Sequence, residues 1–374
     1  MRDPLAVVGR FPPPLDGQAI ATRRLADLLE DAAPVDRFNL NPGDGAFIPA
    51  SVRFRPDAAL YFLRRGRELR RWLAERPGHT VLWTGISASP LGHLRDALAM
   101  APALRGHRAY GIVHHGGWGD LFASPLTRRS ALRLVRQLSG VVFLSQTLAD
   151  RAAPWVPDEK RLVVPNTIDD DLIPSRAEVE QKRETRAAAI ASGDPVRVLF
   201  FSHMIPSKGY LDVLRAVGVL RQRGVAVRAD FVGRWTSPED EAAFRAEMDR
   251  LGVADRVVHH GGVSDRAAAR AHYLAADVFC LPTTYPTEAQ PLTIIEALAA
   301  GCPAVVTEHA SLPEMIERGV SGTFVRASDP ASIADGIARV AAGWRTHSAG
   351  ARARFDAAFA PDAVRQQWLA LLDG

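Results

Sequence analysis

Two series of short apolar runs, separated by amphipathic segments, constrain the fold of this chain more than any other feature. The first series is LAVVGR (5–10), VDRFNL (35–40), TVLWTG (80–85), AYGIVHH (109–115), GVVFLS (140–145) and RLVVPN (161–166). The second series is RVLFFS (197–202), ADFVG (229–233), VVHHGG (257–262), DVFCLP (277–282), PAVVT (303–307) and GTFV (322–325). Strands that alternate with helices form parallel sheets covered on both faces. The pattern therefore predicts two α/β domains, each with a doubly wound sheet.

The domain limits follow from the break between the two series. A chain of 374 residues exceeds the ~150 residues typical of one domain. We predict an N-terminal domain at 1–170, a charged, alanine-rich linker at 171–194 and a C-terminal domain at 195–345. The remaining residues, 346–374, have a helical period and could cross back to the N-terminal domain. Because open α/β sheets bind ligands at the carboxyl ends of their strands, the site is expected in a cleft between the domains.

Composition excludes several classes of protein. The chain is 47% hydrophobic and 24% charged, as in ordinary soluble proteins. It has no apolar run near the ~20 residues that span a bilayer, and its first residues lack the pattern of a signal peptide. Its two cysteines, Cys280 and Cys302, form no metal-binding or disulfide pattern. A cytoplasmic location without a metal site is expected.

Positive charge is concentrated in the N-terminal half. Residues 53–76 contain eight arginines against three acids, and residues 125–140 contain four arginines and no acid. These segments carry net charges of +5 and +4, whereas the whole chain carries +4. Such clustering favours an anionic partner, namely a membrane surface, a lipid phosphate or nucleic acid. A solvated basic surface is the alternative.

Two glutamates frame the most informative motif, TTYPTEAQPLTIIEALAAGCPAVVT (283–307). Glu288 lies in the loop after an apolar run, and Glu296 lies within the following helix. We predict that Pro291 is the first helical residue and that Gly301 ends the helix. A buried acid at 296 would need a partner or a ligand. The alternative is a pair of surface acids.

The start of this helix suits a phosphate. The amides of Leu292 and Thr293 lie in its first turn, where backbone N–H groups are free and the helix dipole is positive. Carboxylates beside a bound phosphate suit sugar hydroxyls. The local chemistry therefore points to a nucleotide-sugar.

Further candidate residues lie in loops that follow other strands. Lys208 follows RVLFFS and could neutralise a diphosphate, and His203 in the same loop could also donate a hydrogen bond. After AYGIV, one of the pair His114 and His115 could handle a proton or bind a ligand. Gly17, at the start of the first helix, permits close approach of a ligand to the backbone. Each of these residues also has a purely structural interpretation.

Taken together, these motifs resemble the retaining glycosyltransferases of family 4. The segment from Glu288 onward, EAQPLTIIEALAAGCPAVVT, is similar to the family's E-x7-E signature and the residues after it. Supporting motifs occur in the family's order over about residues 9–325: PPP-x-DG, HGG, VVPNTID (163–169), SKGYLDVLRA (207–216), HHGGVS (259–264) and Y-x-x-A-D-V (273–278). The resemblance implies a GT-B fold, with two Rossmann-like doubly wound domains facing a central cleft.

The resemblance also implies a role for each candidate residue. Glu288 would hold the hydroxyls of the donor sugar, and Glu296 the ribose of the nucleotide. Lys208 would bind the diphosphate together with the Leu292 and Thr293 amides.

The remaining implied contacts lie around the sugar and the base. His115 would touch the donor sugar near its anomeric carbon, and Gly17 would approach the donor. Arg234, Gly262 and Val263 would flank the base. The family requires neither a metal nor a cofactor, and its donor would be a UDP- or GDP-sugar.

The chain departs from the family's pattern at three positions, the first of which is Asp16, where the family has the first glycine of a pair. His203 stands where the family commonly has an arginine, so one fixed positive charge at the diphosphate is absent. Gln290-Pro291 replaces the usual Phe-Gly, so the backbone donor at 291 is absent.

These features predict a retaining glycosyltransferase that acts on a hydroxyl of a glycan or a lipid-linked acceptor. The setting would be bacterial surface polysaccharide or glycolipid assembly, on the inner face of the membrane. A nucleotide-sugar epimerase or a phosphorylase of the same fold is the enzymic alternative. A basic nucleic-acid-binding protein is the non-enzymic alternative, although the sequence matches no known nucleic-acid-binding module.

Overall fold

The computed structural model describes residues 2–13, 17–41 and 56–374. Asp16, and Arg53 and Arg55 of the first arginine-rich segment, lie outside these described residues. The chain divides into two compact units. Unit 1 comprises Met1–Asn166, Thr287–Ala289 and Arg365–Gly374, and unit 2 comprises Thr167–Pro286 and Gln290–Val364.

Unit 1 is built on a parallel sheet. Its strands are β1 (Leu5–Gly9), β2 (Val35–Asn39), β3 (Thr80–Trp83), β4 (Ala109–Val113), β5 (Gly140–Phe143) and β6 (Arg161–Val163). Its helices are α1 (Gly17–Glu30), α2 (Pro56–Ala74), α3 (Pro90–Arg95), α4 (Asp120–Ala123), α5 (Pro125–Gln137) and α6 (Gln146–Arg151), and a π-helical turn (Asp96–Met100) continues α3. In the described residues the strands lie in the order β2-β1-β3-β4-β5-β6, and the order reverses between β1 and β3.

Unit 2 is a second parallel α/β unit. Its strands are β7 (Val196–Phe201), β8 (Val227–Val232), β9 (Val257–His259), β10 (Val278–Leu281), β11 (Ala304–Thr307) and β12 (Gly322–Val325). Its helices are α7 (Arg176–Ala191), α8 (Tyr210–Gln222), α9 (Pro238–Leu251), α10 (Arg266–Ala275), α11 (Leu292–Ala299), α12 (Leu312–Met315), α13 (Pro330–Ala342) and α14 (Trp344–Ala358). A final helix, α15 (Pro361–Asp373), begins in unit 2 and ends in unit 1. The strand order is β12-β11-β10-β7-β8-β9.

The predicted strands are confirmed, because each of the twelve apolar runs overlaps one of β1 to β12. Every residue of β4 and of β10 is buried. Strands covered on both faces must be apolar at consecutive positions, and this is why they stand out in the sequence. The prediction of two α/β domains with parallel sheets is therefore correct.

The segment predicted as a linker forms α7 and packs into unit 2. Its buried Lys182 donates from Nζ to the carbonyl oxygens of Tyr273 and Ala300, each at 3.0 Å. Its Arg186 forms a two-pronged ion pair with Asp277, which is fully buried. These contacts, together with the buried side chain of Val179, attach α7 to unit 2.

The start of α11 differs from the prediction by one residue. Pro291 precedes the helix with φ −62° and ψ 117°, and Leu292 is the first helical residue. Proline fixes φ but leaves ψ free, so its helical φ does not make it helical. The predicted stop is confirmed, because Gly301 has φ +60°, a conformation that favours glycine.

In the part of the chain that the structure describes, no helix is both long enough and apolar enough to cross a membrane.

Candidate functional site

Four candidate residues of unit 2 lie where its strand order reverses, namely Lys208, Leu292, Thr293 and Glu296. β10 pairs with β7. The strand that follows β7 in the chain, β8, lies on one side of this pair, and the strand that follows β10, β11, lies on the other side. Such a switch point opens a crevice at the carboxyl ends of the two strands. The loop after β7 contains Lys208, and the loop after β10 leads into α11.

Glu296 is held by a buried tyrosine. The Oη of Tyr273 on α10 donates to Oε2 of Glu296 at 2.7 Å. The Tyr273 ring stacks on Phe201 of β7, with centroids 5.2 Å apart and planes 8° apart. Burial, followed by the nearby carboxylate, raises the pKa of Tyr273 well above its usual range. Tyr273 therefore remains a neutral donor and orients a half-buried carboxylate.

The N terminus of α11 carries no side-chain cap. Leu292 and Thr293 are half-buried in its first turn. Such a turn presents unshared backbone N–H groups and the positive end of the helix dipole. It is therefore suited to an anionic group, one turn before Glu296.

Lys208 lies next to the loop between β10 and α11. The loop after β7 is joined to the loop after β10 by the Thr284 amide, which donates to the carbonyl of Ser207 at 2.7 Å. Lys208 Nζ lies 4.6 Å from the centre of the Tyr285 ring. Gly209 has φ +84°, and a Cβ there would lie 2.7 Å from the carbonyl oxygen of Pro282. Only glycine permits this close approach, so the position of Lys208 depends on it.

Three further predicted residues lie in the loops after β8 and β9. A Cβ on Gly262 would overlap the side chain of Arg234, so Arg234 lies directly over Gly262. Val263 packs against the core of unit 2. The Met204 amide donates to the carbonyl of Arg234 at 3.0 Å, which joins this loop to the loop that contains exposed His203.

The remaining candidates belong to unit 1. Glu288 is only 7% exposed, so the alternative of a pair of surface acids is wrong for this residue. Gly116 lies against its backbone, because a Cβ there would overlap the carbonyl oxygen of Glu288. The Gly116 amide donates to the carbonyl of Thr287 at 3.4 Å. Gly17 is the exposed first residue of α1, and a Cβ there would contact nothing.

Both histidines after β4 favour the neutral form. Burial, and then the proximity of His115, lower the pKa of His114 to about 4. Desolvation, and then the charge of Arg10, lower the pKa of His115, although this side chain is exposed. At neutral pH both rings can therefore accept or donate a hydrogen bond without carrying charge.

His114 is expected to make the protein less stable in acid. The unfolded chain takes up a proton near the ordinary histidine pKa of ~6.5, whereas the folded chain does so near 4. Between these values the unfolded state binds more protons, so stability falls as pH falls. At pH 5 the loss would be about 2 kcal/mol. Urea unfolding at pH 7.5 and pH 5 should show a smaller decrease for His114→Gln than for the wild type. Equal decreases would contradict this prediction.

Sequence reasoning missed the role of Tyr273 as the partner of Glu296. The motif Y-x-x-A-D-V (273–278) supports the family resemblance, but the pattern assigns no function to its first residue. The sequence around a tyrosine on a helix does not indicate which carboxylate its hydroxyl binds. Only the packing of α10 beside α11 identifies that partner.

Part of the chain is similar in sequence to a known family. Residues 181–355 match the family model described as glycosyl transferases group 1. The chain is 30% identical over 170 residues to a putative colanic acid biosynthesis glycosyltransferase, WcaL, of Salmonella typhimurium, covering 44% of this chain and 40% of that protein. It is 28% identical over 275 residues to a GDP-mannose-dependent alpha-(1-6)-phosphatidylinositol monomannoside mannosyltransferase of Mycolicibacterium smegmatis, covering 72% of this chain and 69% of that protein.

Solved structures with similar folds extend over the whole chain. HepE of Anabaena, in complex with UDP, superimposes with a TM-score of 0.71 at 20% identity and covers 100% of both chains. Sucrose-phosphate synthase of Thermosynechococcus elongatus gives a TM-score of 0.74 at 20% identity, covering 100% of this chain and 98% of the other. At such identities the likeness concerns the fold alone. The chain therefore has the GT-B fold, and its residues 181–355 are similar in sequence to group 1 glycosyl transferases.

Proposed function

We propose that this protein is a retaining glycosyltransferase that moves a sugar from a nucleoside-diphosphate sugar to an acceptor hydroxyl. The observation that carries this proposal is the setting of Glu296. Its carboxylate is oriented by Tyr273 at 2.7 Å, one turn beyond a helix start with no side-chain cap, at the switch point of a parallel sheet. This combination offers an anion site and a hydroxyl acceptor one helical turn apart.

In this proposal, unit 2 binds the nucleotide part of the donor. The diphosphate contacts the Leu292 and Thr293 amides and Lys208, while Glu296 accepts the ribose hydroxyls. The base lies against the loops that contain the residues Arg234, Gly262 and Val263, with His203 nearby. The family match over residues 181–355 supports this assignment. So do related folds solved with UDP and with UDP-glucose.

Around the sugar, we assign roles to Glu288 and His115. Glu288 holds sugar hydroxyls, and His115 lies near the anomeric carbon. Transfer with retention breaks the bond between the anomeric carbon and the phosphate oxygen and forms a bond to the acceptor oxygen on the same face. The departing phosphate oxygen accepts the acceptor's proton. Lys208 and the α11 dipole compensate the charge on the leaving diphosphate, so the mechanism requires no metal.

The proposed acceptor is a glycan or a lipid-linked glycan. Two relatives are named for colanic acid biosynthesis and for a phosphatidylinositol mannoside, and both names point to surface polysaccharide or glycolipid assembly. The corresponding location is the cytoplasm, at the inner face of the membrane.

Nucleotide binding tests the site directly. UDP, GDP and ADP are titrated calorimetrically into the wild type, Glu296→Gln and the control Glu308→Gln. Glu308 is an exposed acid paired with Arg318 at 2.7 Å. One nucleotide should bind the wild type, and Glu296→Gln should weaken its affinity about 10- to 100-fold, since a hydrogen bond to a charged group is worth ~1.5–3 kcal/mol. Equal affinities of Glu296→Gln and the wild type for the preferred nucleotide would refute the assignment.

Product analysis separates this reaction from its alternatives. A transferase releases free nucleoside diphosphate from the sugar donor. An epimerase produces an isomeric nucleotide-sugar without release, and a phosphorylase requires inorganic phosphate. Detection of either pattern in place of release would overturn the proposed reaction.

A further inference from the structure

Unit 1 exposes an unusual group of leucines. Among the described residues, eight large apolar side chains are exposed, and six of them are leucines of unit 1. These are Leu60 and Leu63 of α2, Leu91 and Leu94 of α3, Leu98 of the π-helical turn, and Leu126 of α5. Leu98 and Leu126 are 69% and 86% exposed. Single exposed leucines need no explanation, but a group of them marks an interaction surface.

The segments that carry these leucines lie side by side. A Cβ on Gly66 of α2 would overlap the carbonyl oxygen of Ala99 in the π-helical turn. The Arg95 guanidinium lies over the Phe62 ring of α2, 4.7 Å from its centre. On the other side, Nε2 of His93 and Oγ of Ser130 on α5 are 2.8 Å apart. The α3 segment therefore lies between α2 and α5, so the segments that carry the six leucines adjoin one another.

The same segments expose positive charge. The exposed arginines are Arg64, Arg67, Arg70 and Arg71 of α2 and Arg128, Arg129, Arg133 and Arg136 of α5. Within the ranges that the structure describes, none of these eight has an acidic partner. By contrast, exposed Arg223, Arg245 and Arg250 of unit 2 each contact an acid, at 2.6 to 2.7 Å. Of the acids in this region, Asp96 of the π-helical turn is itself buried, and Glu68 of α2 pairs with Arg65.

Helical spacing places leucines and arginines on the same outer stripe. On α2, the leucines at 60 and 63 and the arginines at 64, 67 and 71 are spaced three or four residues apart. This spacing places all five side chains on one side of the helix. Leu69 and Leu73, which are fully buried, occupy the opposite side. On α5, Leu126, Arg129 and Arg133 follow the same rule, opposite buried Ala131 and Leu134. We call this combined surface the leucine–arginine face.

We propose that the leucine–arginine face docks unit 1 onto an anionic lipid bilayer. Leucine side chains can enter the boundary between headgroups and acyl chains, while arginines bind lipid phosphates and extend their charged ends to the interface. The argument uses only the surface of unit 1, so it is independent of the proposed transfer reaction.

Two other occupants fit less well. Nucleic acid would neutralise the arginines but would leave the leucines in water, since it offers no apolar surface of matching size. A second copy of this chain would cover the leucines, but a symmetric contact would bring the same unpaired arginines together, and like charges repel. A bilayer with anionic lipids satisfies both kinds of side chain at once.

Vesicle co-sedimentation tests the proposal with the full chain. Phosphatidylcholine vesicles are compared with vesicles that also contain phosphatidylglycerol. The wild type should bind the anionic vesicles, and high salt should weaken binding through screening. Arg129→Gln with Arg133→Gln should weaken binding about 30-fold, at ~1 kcal/mol per arginine. Leu98→Ser with Leu126→Ser should weaken it at least about 100-fold, because each buried leucine is worth ~1.5–3 kcal/mol.

A matched control variant tests whether any loss of exposed apolar side chains, rather than loss from the leucine–arginine face, weakens vesicle binding. Val258→Ser with Val320→Ser removes the exposed apolar residues of unit 2 and should bind vesicles as the wild type does. Undiminished binding of the leucine variant, or no binding of the wild type, would overturn the proposal. So would a wild-type dimer that the leucine variant abolishes. Nucleotide binding should be unchanged in every variant, so a failure here is distinguishable from a failure of the proposed donor site.

Discussion

Replacement of Glu288 by glutamine is expected to lower kcat by roughly 100- to 1,000-fold, the range observed when one polar group that stabilises a transition state is removed. In the proposed reaction, positive charge develops at the anomeric carbon as the bond to phosphate breaks. A buried carboxylate beside the sugar stabilises that charge and accepts its hydroxyls, whereas the isosteric amide carries no charge. The measurement is release of nucleoside diphosphate from the donor sugar.

The control is Glu308→Gln, at an exposed acid of the other unit. It should retain wild-type turnover, and both variants should unfold at the wild-type temperature. Nucleotide affinity should change little in Glu288→Gln, because the proposed nucleotide contacts lie in unit 2. A Glu288→Gln enzyme with wild-type kcat would show that this carboxylate does not act on the reacting sugar.

The second large effect concerns stability. Asp277 is fully buried and accepts three hydrogen bonds: from Nε of Arg186 at 2.9 Å, from Nη2 of Arg186 at 2.8 Å and from the Arg197 amide at 2.9 Å. Asp277→Ala would remove the buried counter-charge of the guanidinium and leave only the exposed Asp194, whose Oδ2 lies 3.4 Å from Nη1 of Arg186. The expected loss is about 3–5 kcal/mol in the free energy of unfolding, measured by urea unfolding of the full chain.

A surface pair provides the comparison. Arg223 and Asp335 are exposed and 2.6 Å apart, so Asp335→Ala should cost at most about 1 kcal/mol. The two units can unfold in separate thermal transitions. Calorimetry should then show that Asp277→Ala lowers the unfolding temperature of unit 2, to which Asp277 belongs, and leaves that of unit 1 unchanged. The paired change Arg186→Met with Asp277→Leu should recover part of the lost stability. An Asp277→Ala variant as stable as Asp335→Ala would show that the buried pair does not hold α7.

The sequence predicted the framework of the protein well. The fully buried strands, such as β4 and β10, follow from runs that are apolar at successive positions, because a strand covered on both faces has no polar side. The helix after β10 and its stop at Gly301 are also local features, since a left-handed residue is needed there. The one-residue error at Pro291 arose because proline restricts φ and not ψ.

Contacts between residues far apart in the chain could not be predicted from the sequence, because their partners lie in other segments. The linker prediction was based on charge and alanine content, yet Lys182 and Arg186 are buried because their partners come from segments 91 residues further along the chain. In the same way, Tyr273 and Glu296 meet only because α10 and α11 pack together.

The sequence by itself determined the two α/β units, the positions of the loops after their strands, and the concentration of arginine in one half. The tertiary structure alone decided which of those side chains are paired, buried or exposed. It joined Tyr273 to Glu296, placed α7 in unit 2 and brought exposed leucines beside arginines that have no acidic partner among the described residues. Local periodicity records only whether a face is covered by other residues, whereas the identity of its neighbours depends on how distant elements pack.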